Sequence, residues 1–213
     1  MKTLHLIRVL NLACALCLGG CNDSSKTQTQ LTTITDTTKV HKEAPANLDA
    51  SDSAELTVFI RDLYKWKETK SSPDDFYPKS DNKDSLYIGI DWVAQAKRQK
   101  ELEVTNFFSK EFLDNYNNIA TTIDKRLKDG SFSWLVGDLP PFGNDANPWC
   151  NCQDSPDDYW KIISVSNIKT ADSDVSFRWS FDNQMFYRAV ASKASGSWKV
   201  KYLQGFDYKE FLQ

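Results

Sequence analysis

A change of hydrophobic period late in the chain constrains the fold more than any other feature. Between residues 105 and 129, Phe108, Phe112, Tyr116, Ile119, Ile123 and Leu127 recur every three or four positions, the spacing of one buried helical face. In the C-terminal third the period drops to two. Val175, Phe177, Trp179 and Phe181 alternate strictly with polar residues, as a half-buried strand requires. Trp160 to Ile168, Met185 to Ala191, and Trp198, Val200 and Tyr202 supply further strands, with Asp182-Asn183-Gln184 as a turn between them. Helices first and strands after predict an α+β fold, with N-terminal helices packed in a curved antiparallel sheet of about four strands.

An earlier helix is predicted from Asp52, where Asp52-Ser53-Ala54-Glu55 has the pattern of a capping box. Leu56, Phe59, Ile60, Leu63 and Tyr64 then make one apolar face, and Pro73 and Pro78 close the segment. Asp74-Asp75 reads as surface polarity. Tyr87, Ile88, Ile90, Trp92 and Val93 form a short apolar patch before a charged run from Lys97 to Glu103. The helix of residues 105 to 129 is predicted to span Thr105 to Asp129, with Gly130 as its stop.

The N-terminus reads as a targeting segment. Lys2 and Arg8 precede a short apolar stretch that ends in Leu18-Gly19-Gly20-Cys21, the order of a bacterial lipobox. Val9 to Leu18 is about half the roughly 20 apolar residues of a membrane-spanning helix. Residues 1–20 are therefore expected to leave as a signal peptide, and Cys21 to carry the lipid that binds the protein to a membrane. Asn22 follows the cysteine in place of the Asp that retains lipoproteins in the inner membrane. The expected location is the cell envelope, at the outer membrane facing the periplasm. Residues 21–50, rich in Thr, Ser, Gln, Asp and Lys, bury too little to fold alone and read as a tether on the order of 30 Å long. A single α+β domain is expected over 51–213.

Charge and residue usage narrow the chemistry. Once Lys2 and Arg8 are removed, 24 cationic residues face 29 acidic ones, a net charge of −5. That balance argues against nucleic acid as a partner and favours a basic protein. Both histidines, His5 and His41, precede the domain, which excludes histidine-based triads and zinc sites from it. Cys150 and Cys152 are the cysteines left to the domain, and they form a candidate disulfide across one residue, a local clip or two thiols. Asp154, Asp157 and Asp158 form an acidic cluster without the alternating ligands and glycine of a calcium loop. No metal or cofactor is expected, and Asp154 is the candidate pocket acid. Trp134, Phe142 and Trp149 lie in an irregular, proline-rich connection where periodicity does not account for them, and they either seal the core or form the candidate binding surface.

Several segments taken together, Phe107-Phe108-Ser109-Lys110-Glu111-Phe112-Leu113, the stretch from Pro141-Phe142 to Cys152-Gln153-Asp154, and Gly196-Ser197-Trp198-Lys199-Val200, resemble the uncharacterised YbjP-type bacterial lipoproteins over residues 54 to 208. Residues 71 to 100 and the Cys-Asn-Cys element stand outside that pattern. The resemblance implies a cone-like, nuclear-transport-factor-like α+β fold and carries over no catalytic residue. The expected function is a non-enzymatic envelope binding module. It would act as an immunity or inhibitor protein against a basic, envelope-directed hydrolase, or as an accessory subunit of an outer-membrane complex. A small-ligand binder or carboxylate-based enzyme using the cone pocket is the alternative.

Overall fold

The computed structural model describes residues 50–81 and 85–213. The signal segment 1–20, Cys21 and the tether up to residue 49 lie outside the described residues. Helix α1 (Ala50–Thr69) turns Leu56, Ile60, Leu63 and Tyr64 into the core, the face its spacing predicts. Its start differs from expectation. The helix is already formed at Ala50, so Asp52 falls inside the first turn, and Asp52 and Glu55 instead hold Lys193 at 2.7 and 2.6 Å. A small antiparallel pair follows, β1 (Pro78–Ser80) and β2 (Tyr87–Ile90).

Helix α2 (Trp92–Val104) covers the charged run and was not expected there. Asp91 caps it by accepting from the Val93 and Ala94 amides, and its buried residues are Gln95, Arg98 and Leu102. A helix that buries a glutamine and an arginine leaves no apolar stripe to detect. Helix α3 (Lys110–Lys128) starts later than the expected Thr105, because Ser109 is its cap and accepts from the Phe112 amide. Thr105 and Asn106 turn the chain, Asn106 at a φ of 61°, before it bridges to Val200 at Phe108. The Thr105 hydroxyl donates to the Leu102 carbonyl, and Phe107 and Ser109 exchange backbone hydrogen bonds with Val200 at 2.8 Å.

Strands β3 (Ser164–Ala171), β4 (Asp174–Ser180), β5 (Tyr187–Ala194) and β6 (Ser197–Leu203) form an antiparallel meander in sequence order. β3 begins after the expected Trp160 because residues 159–162 form a 3₁₀ turn. One face of the sheet buries Val175, Phe177 and Trp179 of β4 with Tyr187, Ala189 and Ala191 of β5. α1 lies against it, with Tyr64 4.4 Å from Trp179 between ring centroids. A one-turn helix, α4 (Tyr208–Phe211), closes the chain. The sheet is not strongly curled, which corrects the expectation of a curved sheet. Bulges interrupt the outer pairings β3–β4 and β5–β6, and the central β4–β5 register runs unbroken, so no bulge kinks the middle of the sheet. The class is mixed α+β, a four-stranded antiparallel sheet with four helices. No helix among the described residues is long and apolar enough to cross a membrane.

Candidate binding groove

The site is built around Asp75, which the acidic pair Asp74-Asp75 had suggested would lie at the surface. Its side chain is 7 % exposed. One carboxylate oxygen accepts from Arg98 Nε at 2.9 Å and from the Tyr116 hydroxyl at 2.6 Å, and the other accepts from Trp149 Nε1 at 2.7 Å. Three donors thus meet two oxygens, and they come from α2, α3 and the irregular connection. Arg98 is 1 % exposed and also donates to Ser71 and Glu101. Burial opposes its charge, but Asp75, Tyr116 and Glu101 together outweigh that and raise its pKa. Burial, and then the Asp75 charge, push the Tyr116 phenol well above its ordinary value, so it stays a donor. Burial also pushes Glu101 up, yet the Ser72 amide and Arg98 outweigh it and hold that carboxyl below the usual range. All three donors to Asp75 belong to different parts of the chain, so this carboxylate is a brace that ties them together.

The brace sets the backbone beside it. Phe76 is buried with φ at 56°, in the left-handed region that a bulky side chain seldom adopts, and its ring stacks on Tyr116 at 4.6 Å. Asp75 faces Arg98 and Phe76 faces α3 only because the chain turns sharply at this point. That turn opens a groove of about 390 Å³ between residues 73–78 and the connection 134–148. Pro73, Tyr77, Tyr87, Trp134, Phe142 and Phe211 wall it, with Asp74 and Asn147 as polar members.

An apolar rim continues from the groove. The Tyr87 amide donates to the Trp134 carbonyl and the Val136 amide to the Ser85 carbonyl, at 2.9 and 2.7 Å. This pairing sets Leu86 opposite Leu135 as a short antiparallel bridge. Tyr87 turns inward onto Trp134, 4.6 Å between centroids. Leu86, Ile88, Leu135, Val136 and Leu139 remain exposed, Leu139 at 73 %. An exposed apolar cluster beside a groove is the usual mark of an interaction surface.

The aromatic residues expected to form the contact surface are placed differently. Trp149 is 1 % exposed, with its indole committed to Asp75, and Trp134 is 7 % exposed, donating to the Asp138 carbonyl at 3.0 Å. Both are core residues, and Phe142 is half-buried against Trp134 and Phe211. A ring of that size gains more from burial than from exposure, and the connection points its rings in and its aliphatic residues out. Asp154 is exposed and lines no part of the groove, which corrects its assignment as the pocket acid. Asp75 is the buried acid instead, joined to Arg98 by contacts 23 residues apart in sequence. No short motif announces such a pair. Cys150 and Cys152 are bonded to each other, both buried, in the turn where the Asn147 amide donates to the Cys152 carbonyl. No cluster of three metal-ligating side chains occurs among the described residues.

These features define a mixed α+β domain with a braced, aromatic-walled groove and an aliphatic rim. No family model, no curated protein and no solved structure matches the chain.

Proposed function

We propose that this protein is a non-enzymatic binding module of the cell envelope, held to a membrane by lipid at Cys21, that docks a protein partner on the groove and its rim. The exposed aliphatic set Leu86, Ile88, Leu135, Val136 and Leu139, in which backbone pairing joins the 85–87 and 134–136 segments, carries this reading. Aliphatic side chains held rigid in water are a recognition surface at low ordering cost. Asp74 in the groove and the net negative mature chain suit a basic partner, such as an envelope-directed hydrolase that this protein would block. Relatedness to the YbjP-type lipoproteins, with α1 and α3 beside a shallow meander as a flattened form of their cone, belongs to the same proposal. A small-ligand reading is favoured by one observation, the groove volume of about 390 Å³.

The test is site-specific photocrosslinking in the native envelope. A crosslinker at Leu139, on the rim, is expected to trap one discrete protein, and the same group at Asp172, in the β3–β4 turn, to trap none. The Leu135→Asp variant should abolish the adduct. A rim probe that gives no adduct, or one equal to that at Asp172, would remove the docking proposal.

A further inference from the structure

The exposed face of the four-stranded sheet carries an unusual charge arrangement. In the β4–β5 register Arg178 stands directly opposite Arg188, and both are exposed. Like charges directly opposite on antiparallel strands destabilise the pair. Carboxylates do little to relieve it. Glu210 reaches Arg188 at 3.3 Å on a half-exposed pair, and Arg178 makes no ion pair among the described residues. Lys169 adds a third cation, and its neighbour across the ladder is Ser176. These groups line one shallow depression of about 430 Å³, together with Asn167 and Tyr202. The bulge in β3 between Ser166 and Lys169 contains Asn167, whose φ of 51° re-aims it relative to a regular strand. The serine leaves room, so the long side chains in the depression are mostly cationic.

We propose that this face seats the phosphates of anionic phospholipid headgroups at a membrane surface. Two adjacent guanidinium forks match phosphate oxygens bidentately, and a bound phosphate removes the repulsion that the register imposes. Tyr202, whose hydroxyl donates to Asp207 at 3.3 Å, adds an aromatic ring of the kind that suits an interface between apolar and wet phases. An open depression binds a lone small anion weakly, because water screens it, whereas a bilayer presents many phosphates at once. Attachment at Cys21 would raise the local concentration of the face at the membrane, so modest intrinsic affinity suffices. The inference uses the proposed anchor for that point alone, and it is independent of the groove.

The test therefore removes the anchor. The chain from residue 21, with Cys21→Ser, is sedimented with vesicles of phosphatidylcholine alone or mixed with phosphatidylglycerol. Binding is expected only to the mixed vesicles, falling as salt rises. Arg178→Ser with Arg188→Ser should weaken it on the order of 30-fold at low salt while tryptophan fluorescence stays unchanged and unfolding stays cooperative at a midpoint no lower than the parent's, since both arginines are exposed and their mutual repulsion is removed. Equal binding to both vesicle types, or unchanged binding by the double variant, would overturn the proposal. Tighter binding of a polyglutamate peptide than of mixed vesicles would reassign the face to an acidic protein, and binding of inorganic phosphate as tight as that of vesicles would make it a free-anion site. Loss of the rim crosslink leaves this result untouched, so the two proposals fail separately.

Discussion

Asp75 joins three separate elements through one carboxylate, and its loss is the most damaging single change at the groove. Replacing it with alanine would leave Arg98, 1 % exposed, without its main counter-charge and Trp149 Nε1 without an acceptor. Breaking a buried ion pair from one side costs about 3–5 kcal/mol, because an uncompensated charge stays in the interior. Asp75→Ala should therefore lower the urea midpoint sharply, and Asp75→Ala with Arg98→Met should recover a large part of that loss. An equal loss in single and double variants would mean that Asp75 acts through packing alone. Gly205 meets a different constraint in the same region. A Cβ there would stand 2.0 Å from the Pro148 carbonyl oxygen, so the backbone approach that positions Trp149 requires glycine.

At the scale of elements, legibility in the sequence follows what each element buries. α1 and the strands β4 to β6 bury apolar rows, and their residues were readable from period alone. α2 buries Gln95 and Arg98, and its charged run shows no helical apolar period. Its cap at Asp91 was a legible signal, an acid before a helix start, but it was hidden by an apolar patch that resembles a strand. Half of the site was visible. The connection 132–149 was singled out, yet no local pattern tells which of its apolar residues face inward, and Asp75 and Arg98 find each other only in three dimensions. Contact between β2 and α3 also includes one acid with two partners. Asp124 accepts from the Ile90 amide at 2.9 Å and from Lys128 at 2.7 Å. Burial pushes this carboxyl up, and Lys128 and the Ile90 amide outweigh it, so its pKa is held below the ordinary value of 3.8. A depressed folded pKa gives stability that is complete above the unfolded value and lost as pH falls through the folded one. Urea midpoints measured from about pH 5 down to about pH 2 should show Asp124→Asn less stable than the parent at the upper end, with the gap closing toward the lower end. A gap that stays constant across that range would assign the effect to geometry and not to charge.

For the whole molecule, the division between rings inside and aliphatic residues outside separates stability from recognition. Trp149 packs on Trp66, Phe108 and Phe206, with ring centroids 5.0 to 6.4 Å apart, and Lys67 and Arg98 stand over its faces. Truncating such a ring leaves a cavity and an unpaired Asp75 oxygen, and Trp149→Ala should lose about 3–5 kcal/mol. Val136 and Leu139, 49 % and 73 % exposed, keep about half or more of their surface in water. Their replacement by aspartate should change the unfolding free energy by no more than about 0.5 kcal/mol. The same replacement places two charges on the rim and should abolish docking of a partner, because a desolvated, unpaired charge at an interface opposes association. The two variants therefore form a crossed pair, one losing stability and the other losing only the complex. Calorimetry on each, alongside the rim crosslink, reads both quantities. If Val136→Asp with Leu139→Asp unfolds the domain as readily as Trp149→Ala, the rim is part of the core and the contact surface lies elsewhere. If it keeps its melting temperature and loses the adduct, the exposed aliphatic residues of the rim are the recognition surface, and the buried aromatic residues serve to hold them in position.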